Sequence, residues 1–159
     1  MRKLLGEEFE TARVFSSPRV RARKTAAIVF GGARDVTIDE DLREFEYGAY
    51  EGLTTAQIVK LDPGWELWSN GCPDGETADA VGQRCDRFLV TAGTGPATVV
   101  AFAHGHLLRI LAARAVGLDA SEGGIFALDT ATISVVEDVK GKRIVRLWNL
   151  DPSLLSGTQ

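Results

Sequence analysis

Thr98-Val99-Val100-Ala101-Phe102-Ala103-His104-Gly105-His106 is the stretch that decides the fold of this chain. Its first six residues form an apolar run with no polar alternation beyond Thr98, the pattern of a strand covered on both faces in a parallel sheet. Leu107 to Val116 follows as a helix, with Gly117 near its end. In open α/β sheets, ligands sit at the carboxyl ends of the strands. His104, Gly105 and His106 occupy that position. Gly105 permits a sharp turn and a close backbone approach, and the amides opening the helix would face a bound anion. These are the two histidines of the 159 residues. A purely structural role stays open for each, more so for His106.

Outward from this unit, strands and helices alternate, which argues for an α/β fold. Ala12 to Ser16 reads as a short strand. Ser17 reads as an N-cap with Pro18 at the first helical position, opening a helix that runs to Phe30 and stops at Gly31-Gly32. Val36-Thr37-Ile38 is a second strand, followed by a loop from Asp39 to Leu53. Thr54 to Leu61 reads as a short helix and Trp65 to Trp68 as a further turn. From Thr77 to Ala92, the residues Ala78, Val81, Cys85, Phe88, Leu89 and Ala92 recur at helical spacing. Thr132 to Val136 and Arg143 to Trp148 form β-rich runs joined by Lys140-Gly141-Lys142, a hairpin pattern.

Composition narrows the function classes. Hydrophobic residues are 45% and charged residues 25%, an ordinary globular mix that fits one domain over residues 1–159. A net charge of −4 argues against a nucleic-acid-coating surface. No apolar run approaches the roughly 18 residues of a membrane span, and the first eight residues do not read as a secretion signal, so a cytoplasmic location is expected. Cys72 and Cys85 fit no metal spacing, and neither a metal nor a cofactor is expected. Trp65 and Trp68 line either a substrate mouth or a small satellite core, and Trp148 reads as core.

The charge is uneven. Seven cations lie between Met1 and Lys24, and seven acids between Asp35 and Glu51. Arg19, Arg21, Arg23 and Lys24 crowd the opening turns of a helix, where the macrodipole disfavours cations unless an anion binds there. Arg21 shares a helical face with Thr25, Ile28 and Val29 and so is expected on the core side, with a solvated basic face as the alternative. In the acidic stretch, a carboxyl among Phe45, Tyr47 and Tyr50 would suit a general acid, with an acidic surface loop as the alternative that residue pattern alone favours. The pattern alone does not choose among Glu44, Glu46 and Glu51.

Taken in order, these segments resemble the histidine phosphatase superfamily, the fold of phosphoglycerate mutases and acid phosphatases. Ser16-Ser17-Pro18-Arg19-Val20-Arg21 through Thr25-Ala26 resembles the family's Ser-Pro-x-x-Arg segment. Leu42-Arg43-Glu44 through Gly52-Leu53-Thr54 resembles its acid-bearing loop. Gly75-Glu76-Thr77 resembles the motif opening the next helix, and Phe102 through Arg109 its second histidine motif. The likeness is greatest to small bacterial broad-specificity acid phosphatases.

The resemblance implies a three-layer phosphoglycerate mutase-like sheet flanked by helices. It implies phosphomonoester hydrolysis through a phosphohistidine, with a small phosphorylated substrate and with homodimers common among relatives. Arg21, His104, Gly105 and His106 would line the phosphate pocket, His104 as a hydrogen-bond and charge partner. Glu44 would protonate the leaving oxygen. The family's Arg-His-Gly nucleophile motif does not occur in these 159 residues. Met1 to Glu10 reads as the tail of the helix after that motif, so the first, central strand and first helix are expected to be missing and the chain to be inactive. A phosphoglycerate mutase and a non-catalytic phospho-ligand-binding module are the alternatives.

Overall fold

A computed structural model describes residues 8–32, 34–94 and 98–155. Its centre is a parallel three-stranded sheet in the order β2-β1-β3, with β1 at Arg13–Ser16, β2 at Val36–Ile38 and β3 at Val99–Phe102. The register pairs Ser16 with Ile38 on one side and with Phe102 on the other. The carboxyl ends of all three strands therefore finish together, which sets the level of the site.

One turn of helix, α1 (Glu8–Thr11), precedes β1, and residues 1–7 lie outside the described residues. Helix α2 (Val20–Phe30) covers one face of the sheet. Its buried residues are Ala22 and Ala26, which pack with Val14 and Phe102. Small side chains let the helix lie close on the strands. That corrects the expected core side of α2: Ile28 is 81% exposed and Arg21 is also exposed, because the packed stripe runs through Ala22, Ala26, Val29 and Phe30 instead. Gly31 ends α2 in the left-handed conformation at φ 62°, donating to the carbonyls of Ala27 and Ile28.

The opposite face carries the larger core. Phe15 points there from β1 and meets Phe88 edge-on, with ring centroids 5.5 Å apart. Helices α5 (Ala78–Gly93) and α6 (Gly105–Ala115) supply Val81, Cys85, Phe88, Leu107 and Ile110. The Thr77 hydroxyl caps α5 by accepting from Ala80 N–H. Between β2 and α5 the chain runs through two 3-10 turns (Glu40–Leu42 and Gly48–Tyr50) and the short helices α3 (Thr55–Leu61) and α4 (Leu67–Asn70). Thr54 opens α3 with a reciprocal capping box to Gln57.

After α6 and a 3-10 segment (Ala120–Ile125), strands β4 (Ile133–Val139) and β5 (Lys142–Leu150) form an antiparallel hairpin. Lys140 and Gly141 both take positive φ, 56° and 80°, as a two-residue hairpin turn requires. A short 3-10 turn, Pro152–Leu155, follows.

Two burial expectations are corrected. Val99, Val100 and Ala101 are half-buried, not covered on both faces. β1 is the only hydrogen-bonded neighbour of β3 among the described residues, which leaves side-chain area open along its other edge. Trp148 is also half-buried: it stacks obliquely on Phe126 at 5.1 Å and donates its indole N–H to the Ala127 carbonyl.

Candidate active site

The parallel register brings the end of β1 beside the end of β3, and two sequence-distant segments meet there. Arg21 Nε donates to Nδ1 of His104 at 3.0 Å, across 83 residues of sequence. On the other side of the ring, His104 Nε2 lies 2.7 Å from the Ser17 hydroxyl. Both Ser17 and His104 are buried. Burial, then the charges of Arg21 and Arg19, push the His104 pKa below its ordinary 6.5, while Glu44 opposes them. A neutral ring follows at neutral pH, in contrast to a standing imidazolium.

Ser17 is one residue whose role the sequence concealed. The N-cap position of α2 belongs to Arg19, which makes no side-chain capping bond, and the helix begins at Val20. The Ser17 hydroxyl is engaged by His104 and accepts from Arg19 N–H at 3.3 Å. The opening of α2 thus carries cations and no acidic side chain in its first turn, an arrangement suited to an anion.

Glu44 reaches the same place from the acidic loop. Its Oε1 accepts from its neighbour Phe45 N–H at 2.9 Å and from Leu107 N–H at 3.1 Å. Leu107 lies in the first turn of α6, so the carboxylate takes one of the helix-opening amides expected to face a ligand. His104 is the N-cap residue of α6 by backbone position, without a side-chain capping bond. Gly105 begins α6 with a φ outside the left-handed region, so no sharp turn depends on it. The space where its Cβ would stand is open.

His106 faces a different environment. Its Nδ1 shares a 2.7 Å hydrogen bond with the Tyr47 hydroxyl. Phe45, Tyr47 and Trp68 meet its ring edge-on at 6.5, 5.8 and 5.3 Å. Burial lowers its pKa from 6.5, with Arg109 adding to the shift and Glu44 opposing it, while burial raises that of Tyr47. Arg109 lies over the Trp68 ring at 4.4 Å and donates to the carbonyls of Gly123 and Gly124. Trp65 joins the same wall, donating its indole N–H to Gly71 at 2.7 Å and meeting Tyr50 edge-on at 5.5 Å.

The acidic loop is held from beneath by a buried ion pair. Arg84, 5% exposed, donates through Nε and one terminal nitrogen to both oxygens of Glu76, each at 2.8 Å. Its other terminal nitrogen donates to the carbonyls of Asp41 and Arg43 at 2.8 and 3.1 Å. Glu76 in turn accepts from Glu46 N–H at 3.0 Å. Both flanks of Glu44 are therefore anchored to one guanidinium–carboxylate pair. A signal for it existed: Arg84 falls on the same helical stripe as Val81, Cys85 and Phe88, an odd place for a cation without a partner.

Close backbone packing completes the anchor. A Cβ on Gly48, at φ +51°, would stand 2.2 Å from the Pro73 carbonyl oxygen, and one on Gly75 would stand 2.3 Å from that of Glu46. Among the described residues, no group of three or more His, Cys, Asp or Glu side chains is placed to hold a metal. No helix of the described residues is long and apolar enough to cross a membrane.

The family model of the histidine phosphatase superfamily, branch 1, matches residues 2–151. The chain is 39% identical over 151 residues to an acid phosphatase of Mycobacterium tuberculosis, spanning 93% of this chain and 73% of that protein. It is 34% identical over 151 residues to sedoheptulose 1,7-bisphosphatase of Saccharomyces cerevisiae, spanning 80% of this chain and 54% of the relative. The solved structure of a Mycobacterium tuberculosis open reading frame superposes with a TM-score of 0.82 at 36% identity, covering 93% of this chain and 77% of that one. The chain is a member of the histidine phosphatase superfamily.

Proposed function

We propose that this chain supplies the anion clamp and the proton donor of a phosphomonoesterase of the acid phosphatase type. The observation that carries the reading is the 3.0 Å contact between Arg21 and His104 beside the carboxylate of Glu44. A phosphoryl group in transfer spreads negative charge over its equatorial oxygens, and a guanidinium with an adjacent imidazole offsets it. The leaving alkoxide needs a proton. Glu44 Oε1 is committed to two backbone amides, and Oε2 has no hydrogen bond to the described residues. Oε2 is the oxygen available to carry and deliver that proton. Tyr47, Trp68 and His106 would then face the leaving group.

Both histidines lie in one turn, two residues apart, so they cannot flank a phosphorus atom for in-line displacement. In this reading the 159 residues bind phosphate but do not form a phosphohistidine, and a phospho-ligand-binding role for the chain alone is the second reading. The named relatives are phosphatases, which favours hydrolysis over mutase chemistry for the parent activity.

The test pairs two measurements on the 159-residue chain. Calorimetry with inorganic phosphate is expected to show saturable binding that is lost in Arg21→Ala. Phosphate release from p-nitrophenyl phosphate is expected to stay at background, and to appear when a strand carrying Arg-His-Gly is fused ahead of residue 1. Absence of phosphate binding would remove the support for the anion clamp. Turnover by the unextended chain would overturn the assignment of the nucleophile.

A further inference from the structure

The two hydrogen bonds on the His104 ring do not have equal standing. A guanidinium carries only donors and keeps its charge in a protein, so the nitrogen facing Arg21 Nε must be the acceptor. That fixes Nδ1 as unprotonated and leaves the ring proton on Nε2, donated to the Ser17 hydroxyl at 2.7 Å. Protonating Nδ1 would set one N–H against another and break the Arg21 contact. The Ser17 contact survives, because Nε2–H donates in both charge states. Ser17 is fully buried and its oxygen also accepts from Arg19 N–H, so it does not drift with the ring.

We propose that Ser17 is a positioning residue that holds the His104 ring in one orientation through both charge states. An entering anion draws the Arg21 guanidinium off Nδ1, which takes a proton from hydronium or a buffer acid, breaking that acid's bond to it, and keeps the proton while Nδ1–H hydrogen-bonds the anion. One N–H bond forms, and an N–H···N contact is exchanged for N–H···O contacts. The charged groups bearing on the ring are Arg21 and Arg19 at the start of α2 and Glu44 from the acidic loop. Glu44 favours the added proton and the two arginines oppose it, until the anion offsets their charge. This proton uptake rests on the phosphate-site reading above; the placement of the ring by Ser17 does not.

Long-range 1H–15N spectra of the imidazoles read the tautomer directly, with His106→Asn used for assignment. In the ligand-free chain above pH 6.5, His104 is expected as the Nε2–H tautomer. Ser17→Ala should keep that tautomer, which Arg21 sets, but should speed exchange of the Nε2 proton with solvent on both sides of the His104 titration, and Ser17→Thr should restore slow exchange. An Nδ1–H ring in the unmodified chain, or an Nε2 proton that exchanges as slowly in Ser17→Ala as in the unmodified chain, would overturn the role of Ser17. If Ser17→Ala fails to fold, the unmodified chain still decides: its Nε2 proton should exchange slowly above and below the His104 titration, and fast exchange in either state would overturn the role of Ser17.

Sulfate tests the second half, because it takes no proton near neutrality. Calorimetry in two buffers of different ionisation enthalpy should show uptake of about one proton per sulfate bound above the His104 pKa, with affinity falling about tenfold per unit of pH rise. Sulfate binding without proton uptake would overturn that half. Failure to bind either sulfate or phosphate, with the tautomer as expected, would overturn the phosphate-site reading and the uptake with it, and leave the Ser17 assignment standing.

Discussion

The two halves of the site are built on different principles. The phosphate half sits on paired parallel strands: the ladder that matches Ser16 with Phe102 places Ser17, Arg21 and His104 together, and little else is needed. The acid half has no ladder under it. Residues 39–54 are 3-10 turns and irregular backbone, and they stay in place through the Arg84–Glu76 pair and through backbone contacts at Gly48 and Gly75 that leave no room for a side chain. Where strands are absent, a buried charge pair and tight backbone packing take over the positioning. The first half should therefore tolerate substitution of its ligands, and the second should unfold when its anchors are touched.

The largest effect expected is at Arg84. Removing one partner of a buried pair leaves the other uncompensated, a loss of about 3–5 kcal/mol. Arg84→Ala should lower the thermal midpoint by about 2–4 °C for each of those kcal/mol, and Arg84→Lys should not restore it, because one ammonium cannot serve the Glu76 carboxylate and two carbonyls in the same fork. A midpoint within experimental error of the unmodified chain would refute the anchor. Gly48→Ala comes next: it combines a positive φ with a contact at 2.2 Å, for about 1–3 kcal/mol of overpacking. Urea unfolding measures it, and an unchanged transition midpoint would show that the backbone contact is dispensable.

A pH series gives a smaller change shared by both halves. His104 and His106 titrate below 6.5 in the folded chain. Between those lowered values and 6.5 the unfolded chain holds more protons, so stability falls as pH drops through that window and is fully present above it. Thermal scans from neutral pH down to about 5.5, above the carboxylate range, should show a falling midpoint. A flat or rising one would contradict the neutral rings. The smallest stability change belongs to Arg21→Ala: losing one part-buried hydrogen bond to His104 should cost about 1 kcal/mol while abolishing sulfate binding. A large stability loss there would erase the contrast between the halves.

Much of the frame was legible because its signals are local. Thr77 ahead of Ala78, Thr54 ahead of Gln57, Gly31 after Phe30 and Lys140-Gly141 between β-rich runs each mark a boundary with their own chemistry. Ser17 was harder. Its residue type and the following Pro18 suit an N-cap, and only a partner 87 residues away diverts its hydroxyl. The half-burial of Val99 to Ala101 escaped for a similar reason, since composition states what a strand can bury but its neighbours decide how much it does. Among Glu44, Glu46 and Glu51, residue pattern left the choice open. The fold separates the first two by contact: Glu44 meets the opening amide of α6, and Glu46 lies on the Arg43 side at 3.8 Å.

Cys72 and Cys85 are both free and buried, at 7% and 1% exposure. Cys72 lies at the base of the acidic loop, where its N–H bonds the Glu76 carbonyl, and Cys85 lies under α6 with its sulfur toward the Leu107 carbonyl. Burial raises both thiol pKa values, that of Cys85 to about 12, so neither reacts readily in the closed molecule. An alkylating reagent reaches them only as each region opens. Their separate labelling rates form an internal pair of stopwatches, one timing the loosening of the loop and the other the parting of α5 from α6.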